Sequence, residues 1–220
     1  MATVTAKAFD VVALDDIEPG PEHDGRVPRN IRRHFDIQGF GVRANRAVGD
    51  GHVIGEHDEI SLGATGQEEL YFVLSGAATF NLDGQPVYAP AGTFVFVRDP
   101  AVKRSAIAKQ DGTTVLAVGA TPGEPYRLSV GEVMHDMWDP YRAGDYEGAL
   151  EALQPALAER PEALVLFNVA CMEAQLGRAD DAIAHLEQAI EDDHRIKDNI
   201  RTDTDLDSIR EDPRFQALTA

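Results

Sequence analysis

The stretch GEHDEISLGATGQEELYFVLSG, residues 55–76, joins a charged segment to an apolar run. Alternate side chains of a β-strand lie on the same face of a sheet. His57 and Glu59 are therefore expected to share one face, and Glu69 and Tyr71 are expected to share a face of the next strand. The stretch predicts two strands that direct a histidine and several polar groups toward a common interior.

The segments on either side extend this pattern into an all-β region. Short apolar runs are separated by Gly, Pro and Asp, which is typical of a sandwich or small barrel, and we favour the barrel. The predicted strands are residues 39–47, 53–62, 70–74, 77–82, 93–97, 102–108 and 113–118. Asp83-Gly84 predicts a hairpin turn, and residues 8–14 are expected to add an edge strand.

The pattern changes after the segment TPGEP, residues 121–125. Apolar residues then recur at helical spacing over residues 146–159 and 163–190, with almost no β-branched runs. We therefore predict an α+β chain with two domains, an all-β domain at residues 1–125 and an all-α domain at residues 126–220.

The second half contains an internal repeat with an offset of 33 residues. Gly144 aligns with Gly177, and Leu153 aligns with Leu186. The segment LFNVAC at residues 166–171, followed by LGR at residues 176–178, is similar to the tetratricopeptide repeat pattern. The resemblance implies paired helices that bind a protein partner, and since two repeats are few, the pair is expected to pack on other structure. The tail, residues 203–218, is expected to dock Phe215 over the last helix.

The first half resembles the cupin family in the spacing of its first motif. Gly51 is followed after five residues by His57, and Glu59, Glu69 and Gly76 occupy the later motif positions. The family usually has histidine where Glu59 stands, and the spacing requires residues 60–68 to be an insertion. The resemblance implies a jelly-roll barrel.

The second cupin motif is also present in part. Gly84, Pro90 and Gly92 fit its turn positions, but Val95 stands where the last histidine belongs. The match covers the turn residues closely and the metal-ligand residues incompletely.

The cupin resemblance implies a candidate metal site at His57, Glu59 and Glu69. An imidazole with two carboxylates suits a divalent ion such as zinc, manganese or iron(II). Tyr71 would donate a proton there, with Glu69 as its catalytic partner. The candidate ligand-contacting residues are His57, Glu59, Glu69, Tyr71, Tyr88 and Arg98. The alternative is a hydrated strand edge in which Glu69 pairs with Arg98 or Arg104.

Aromatic residues alternate along the predicted strands and are expected to lie mostly in the core. They are Tyr71, Phe72, Phe80, Tyr88, Phe94 and Phe96.

Composition narrows the possible partners and location. The net charge of −18 argues against nucleic-acid binding, which depends on clustered Lys and Arg. No apolar run approaches the roughly 20 residues that span a bilayer, and the N-terminal segment lacks the apolar core of a secretory signal. We expect a cytoplasmic protein without membrane contact. The single cysteine, Cys171, is expected to be a buried small hydrophobe.

Three functions remain open from the sequence. The first is a small-molecule-binding cupin without turnover whose helical part mediates self-association or protein docking. The second is a metal-dependent isomerase, lyase or dioxygenase acting on a small polar substrate. The third is an interaction protein whose barrel is only a dimerisation scaffold. A homodimer is expected in all three, because cupins commonly pair through their sheets.

Overall fold

A computed structural model describes residues 9–219 of the chain. These residues divide into two compact units: the first ends at Arg127, and the second begins at Leu128 and also includes Leu62–Ala64.

The first unit contains nine antiparallel strands among its described residues. They are β1 (Arg26–Arg29), β2 (Gly41–Ala47), β3 (His52–His57), β4 (Glu68–Ser75), β5 (Ala77–Leu82), β6 (Gln85–Pro90), β7 (Phe94–Val97), β8 (Arg104–Ala108) and β9 (Thr114–Ala120). One sheet has the order β1-β2-β9-β4-β7, and the other has the order β3-β8-β5-β6. This two-sheet antiparallel arrangement fits the predicted jelly roll.

The core of the first unit lies where the inward faces of the strands meet. In β4 the inward residues Glu69, Tyr71 and Val73 are buried, and the residues between them are more exposed. Tyr71 packs against Phe80 of β5 with ring centroids 5.5 Å apart. The alternation predicted from the sequence therefore sets the inner face of β4.

The hairpin turn at Asp83-Gly84 is confirmed. It joins β5 to β6, and both residues have positive φ, 49° and 82°. Two consecutive positive φ angles are the requirement of a type I′ turn, in which glycine is favoured because it has no Cβ.

Two strand predictions were wrong in position. Of residues 8–14, Ala8 lies outside the described residues, while residues 9–13 form no strand and Leu14 begins a 3-10 turn. β1 pairs with β2 and forms the edge instead. The strand predicted for residues 53–62 ends at His57, because the Asp58 carboxylate accepts the backbone N–H groups of Ile60 and Ser61 at 3.1 and 2.7 Å. Such a local turn competes with strand pairing.

A short helix, α1 (Ile31–Phe35), precedes β2 and was not predicted. Asn30 caps it by accepting the N–H of Arg33 at 3.1 Å.

The second unit is α-helical. Its α-helices are α2 (Val130–Val133), α3 (Trp138–Arg142), α4 (Tyr146–Glu159), α5 (Ala163–Gln175), α6 (Ala179–Asp192), α7 (Lys197–Thr202) and α8 (Pro213–Thr219), with 3-10 turns at His135–Met137, His194–Ile196 and Thr204–Ile209. The helical pattern of residues 163–190 forms two helices, because the chain turns at Gly177, whose φ is 72°.

The core of the second unit surrounds α5. Leu153 of α4, Ala170 of α5 and Leu186 of α6 are fully buried, and Cys171 is buried beside them. Burial raises the pKa of the Cys171 thiol, as expected for an unreactive side chain. Phe215 of α8 is also buried in this core, and α8 packs on α6.

Among residues 9–219, every helix is too short or too polar to cross a bilayer.

Candidate functional site

Three strands, β3, β4 and β8, and the residues just after β3 bring the candidate site together between the two sheets. His57 is the last residue of β3, and Arg104, the first residue of β8, is its Cα partner in the same sheet. Glu69 and Tyr71 come from β4 of the opposite sheet. Glu59 lies beyond the end of β3 rather than in the strand, yet its side chain still reaches the group. We refer to Glu59, His57, Glu69, Tyr71 and Arg104 as the interior cluster.

One oxygen of Glu69 is the centre of the interior cluster. Its Oε2 lies 3.1 Å from His57 Nε2 and accepts a hydrogen bond from the Tyr71 hydroxyl. His57 Nε2 is also 3.4 Å from the Tyr71 hydroxyl and 3.8 Å from Glu59 Oε1. His57 Nδ1 lies 2.8 Å from the Gly55 carbonyl oxygen, to which it donates. This contact orients the ring so that Nε2 faces the carboxylates.

Arg104 supplies the positive charge. Its side chain is fully buried, and its Nε lies 3.4 Å from Glu69 Oε2. Nη1 donates to the Pro100 carbonyl at 3.2 Å. Nε and Nη2 have no hydrogen-bond partner among residues 9–219. Of the two cations considered for Glu69 from the sequence, Arg104 is the one that contacts it.

The two carboxylates have opposite pKa shifts. Burial raises the pKa of Glu69, but the hydrogen bonds from His57 and Tyr71 and the charges of His57 and Arg104 outweigh it, so the net pKa is lowered. Burial raises the pKa of Glu59, and the negative charge of Glu69 raises it further. Glu69 is thus held ionised, whereas Glu59 takes up a proton more readily.

His57 and Tyr71 respond to the same carboxylate. Burial lowers the pKa of His57, but the hydrogen bonds to Glu69 and Gly55 outweigh burial and raise it above its usual value. Burial, the charge of Glu69 and the hydrogen bond to Glu69 raise the pKa of Tyr71 well above 10. Tyr71 therefore stays protonated and acts as a hydrogen-bond donor.

The interior cluster is partly accessible to solvent. The side chain of His57 is 28% exposed, whereas those of Glu59 and Glu69 are 14% and 11% exposed. Solvent reaches His57 and, to a smaller extent, the two carboxylates, whereas Tyr71 and Arg104 are buried.

Two sequence candidates lie outside the interior cluster. Tyr88 is 64% exposed on β6, an edge strand whose only buried residue is Ala89. Arg98 lies beyond β7 with its guanidinium 5.1 Å from the centre of the Phe96 ring. The prediction that the aromatic residues are mostly core was also wrong for Phe94 and Phe96, which are 63% and 45% exposed.

The interior cluster meets only part of the requirement for a metal site. His57, Glu59 and Glu69 place one ligand atom each within 4.8 Å of one another. However, the Glu69 oxygen already faces a histidine, a tyrosine and a guanidinium. The guanidinium of Arg104 beside this oxygen would repel a divalent ion.

The position of the fourth family ligand is also apolar. Val95 is buried on β7 as the Cα partner of Tyr71. With an incomplete donor set and a buried cation beside the central carboxylate, the residues present do not fit a divalent metal.

Comparison with known proteins gives limited similarity in sequence. No protein-family model matches this chain. A chloroplastic protein from Arabidopsis thaliana is 34% identical over 79 residues, which are 34% of this chain and 24% of that protein. The chain thus spans about a quarter of the length of this curated relative.

Similar solved structures include cupin proteins. A sugar phosphate isomerase of the cupin superfamily from Silicibacter pomeroyi is 18% identical, with a TM-score of 0.41, covering 50% of this chain and 74% of that one. A cupin protein from Bacteroides fragilis is 23% identical, with a TM-score of 0.38, covering 57% and 96%. An RmlC-like cupin from Shewanella frigidimarina is 15% identical, with a TM-score of 0.41, covering 54% and 95%. These similarities concern the fold alone. The first unit itself has the two antiparallel sheets that the cupin resemblance predicts, joined in sequence to an α-helical unit.

Proposed function

We propose that the first unit binds a small polar molecule at the interior cluster, without a metal ion and with no turnover assumed. The observation that carries this proposal is the convergence of His57 and Glu59, at the end of β3, with Glu69 of β4 at one partly accessible point. A merely hydrated strand edge would not bury Tyr71 and Arg104 against the same carboxylate.

The chemistry of the interior cluster favours a ligand that carries hydroxyl groups. The carboxylates of Glu59 and Glu69 accept hydrogen bonds, and His57 Nε2 donates or accepts according to its protonation. A few convergent polar groups on an otherwise apolar interior are typical of small-molecule sites. The ligand is small, because the inward face of β4 and Phe80 fill the rest of the interior.

Native mass spectrometry tests this proposal even though the ligand is unidentified. The full chain would be equilibrated with a small-molecule extract, desalted and compared with its Glu69→Gln variant, using Tyr88→Ser as a folded control. We expect a bound small molecule in the wild type and in Tyr88→Ser that is lost from Glu69→Gln. Equal binding, or none, in all three proteins would contradict the proposal. A chelator should leave both binding and the melting temperature unchanged.

The metal-dependent enzyme predicted as the alternative requires Arg104 to leave Glu69. Zinc, manganese or iron found at one equivalent per chain by elemental analysis, and lost on His57→Ala, would favour that alternative.

We also propose that the chain forms a homodimer through the outer face of the sheet that contains β4 and β7. Leu70 and Leu74 of β4 and Phe94 and Phe96 of β7 are exposed there, and Phe72 stacks on Phe94 with ring centroids 4.3 Å apart. Exposed apolar patches of this kind mark interaction sites. In a chain of net charge −18, two copies repel least where they meet through uncharged side chains.

The second unit is proposed to bind a protein partner, in keeping with its resemblance to tetratricopeptide repeats. Its support is the packing of α5 against both α4 and α6 around a shared core. A pull-down with the full chain that recovers only the chain itself would contradict this role.

A further inference from the structure

Arg104 differs from the other arginines of the first unit in its complete burial. Its side chain is inaccessible to solvent, at the first residue of β8 and beside His57. A buried charge is costly unless it is paired, and the nearby ionised group is the Glu69 carboxylate, 3.4 Å away. The guanidinium is therefore held at this place by charge.

Hydrogen bonding accounts for little of this placement. Only Nη1 donates to a backbone oxygen, that of Pro100, and Nε and Nη2 have no partner among the described residues. An arginine that served to tie loops together would use its planar fork of donors. Arg104 instead presents its charge to the interior cluster and leaves two donors unused.

The charges of the interior cluster explain why a cation is needed. Glu59 and Glu69 bring two negative charges into a largely buried space, and their oxygens both face His57. Arg104 supplies one permanent positive charge. With neutral His57, the two carboxylates and Arg104 sum to −1, and a divalent ion would change this sum to +1. Without Arg104 the two carboxylates sum to −2, and the same ion would neutralise them.

We propose that the guanidinium of Arg104 supplies the positive charge of the interior cluster. It thereby takes the place that a divalent metal ion would have at His57, Glu59 and Glu69. The guanidinium keeps these three ligand atoms gathered within 4.8 Å of one another and also repels a metal ion. Removal of the guanidinium charge should then convert the same three residues into a metal site. This inference goes beyond the proposed small-molecule function, since it concerns metal affinity measured without any ligand.

The test is a Co²⁺ titration of the full chain by calorimetry and visible absorption. Arg104→Met replaces the guanidinium by an uncharged apolar side chain, and Arg104→Gln replaces it by an uncharged polar side chain. Arg104→Lys keeps the positive charge. We expect wild type and Arg104→Lys to bind no Co²⁺ at the cluster. We expect Arg104→Met and Arg104→Gln to bind one equivalent at least 100-fold more tightly than wild type.

His57→Ala separates binding at the interior cluster from binding elsewhere. This control is needed because Cys171, Asp203 and Asp205 of the second unit also place three ligand atoms close together. Co²⁺ gained in Arg104→Met must disappear in the Arg104→Met/His57→Ala double variant, whereas Co²⁺ at the second group would remain.

Circular dichroism establishes which variants are folded. The proposal is overturned if wild type binds Co²⁺ in a His57-dependent manner, or if a folded Arg104→Met or Arg104→Gln variant binds none. If neither variant folds, the wild-type titration decides alone: His57-dependent binding overturns the proposal and its absence supports it. The small-molecule proposal is judged separately, because its assay uses no added metal.

Discussion

Replacement of Glu69 by glutamine tests the electrostatic account of the interior cluster most directly. The amide keeps the shape of the side chain and can still accept from Tyr71, but it removes the negative charge 3.4 Å from the buried Arg104. Breaking a buried ion pair costs about 3–5 kcal/mol, because one charge is left uncompensated. Glu59 remains nearby, so we expect a loss near the lower end, about 3 kcal/mol in the free energy of unfolding.

The measurement must report on the first unit by itself. The single tryptophan, Trp138, lies in the second unit, so its fluorescence follows the other half of the chain. Hydrogen exchange of peptides from β4 and β8, read by mass spectrometry, reports local stability in the intact protein. A loss of about 3 kcal/mol corresponds to roughly 100-fold faster exchange. Peptides from α5 should be unchanged and serve as the internal control.

A double-mutant cycle with Glu59→Gln sharpens the test. In the wild type this change should be neutral or slightly stabilising, because burial and Glu69 already raise the pKa of Glu59. In the Glu69→Gln background Glu59 is the remaining carboxylate beside Arg104, so the same change should destabilise. Glu69→Gln within about 0.5 kcal/mol of wild type, or an equal effect of Glu59→Gln in both backgrounds, would refute the reasoning.

Three further predictions concern other parts of the chain. Protonated His57 should stabilise the fold fully below pH 6.5, and this stability should be lost as the pH rises through the raised pKa of His57. In Glu69→Gln a ¹³C NMR titration should show a lower pKa of His57. An unchanged pKa would contradict the contact between His57 and Glu69. Phe94→Ser with Phe96→Ser should give a monomer in analytical ultracentrifugation while Tyr88→Ser, on the other sheet, stays dimeric. Leu186→Ala should cost about 2–5 kcal/mol by Trp138 fluorescence, because Leu186 is fully buried; exposed Glu187→Ala should cost little.

The sequence predicted the inward residues of β4 because that strand has two chemically different positions. Glu69 and Tyr71 alternate with apolar residues, and the period of two assigns them to one face. The turn at Asp83-Gly84 was predictable for a similar reason, since few residue pairs accept two positive φ angles. Local chemistry decided both features.

The alternation of β7 could not be resolved in the same way. Its sequence is Phe-Val-Phe-Val, so both faces are apolar and the pattern does not say which one meets the core. The structure buries the two valines and exposes Phe94 and Phe96. The prediction that Tyr88 lies in the core was wrong for a related reason. β6 is an edge strand, and the sequence does not reveal which strand of a sheet is at the edge.

From the sequence, Arg104 was one of two candidate partners for Glu69, the other being Arg98. Its sequence position was not distinctive, because it follows Lys103 at the start of a strand. Two adjacent cations at a strand end usually indicate a solvated position, and Lys103 does pair with Glu56 at the surface. The burial of Arg104 depends on its pairing with His57 and on Glu69 arriving from the other sheet, which are contacts distant in sequence. Only tertiary structure shows them.

The pKa shifts within the interior cluster indicate which of its groups are suited to transfer a proton. Glu69 and Tyr71 were the catalytic candidates, yet Glu69 is held ionised by its neighbours, and the pKa of Tyr71 is raised well above 10. A proton-transferring group works best when its pKa is near the working pH. Glu59, whose pKa is raised, and His57 meet that condition better. If a substrate of this chain is found, turnover should therefore depend on Glu59 and His57, while Glu69 and Arg104 hold them in place.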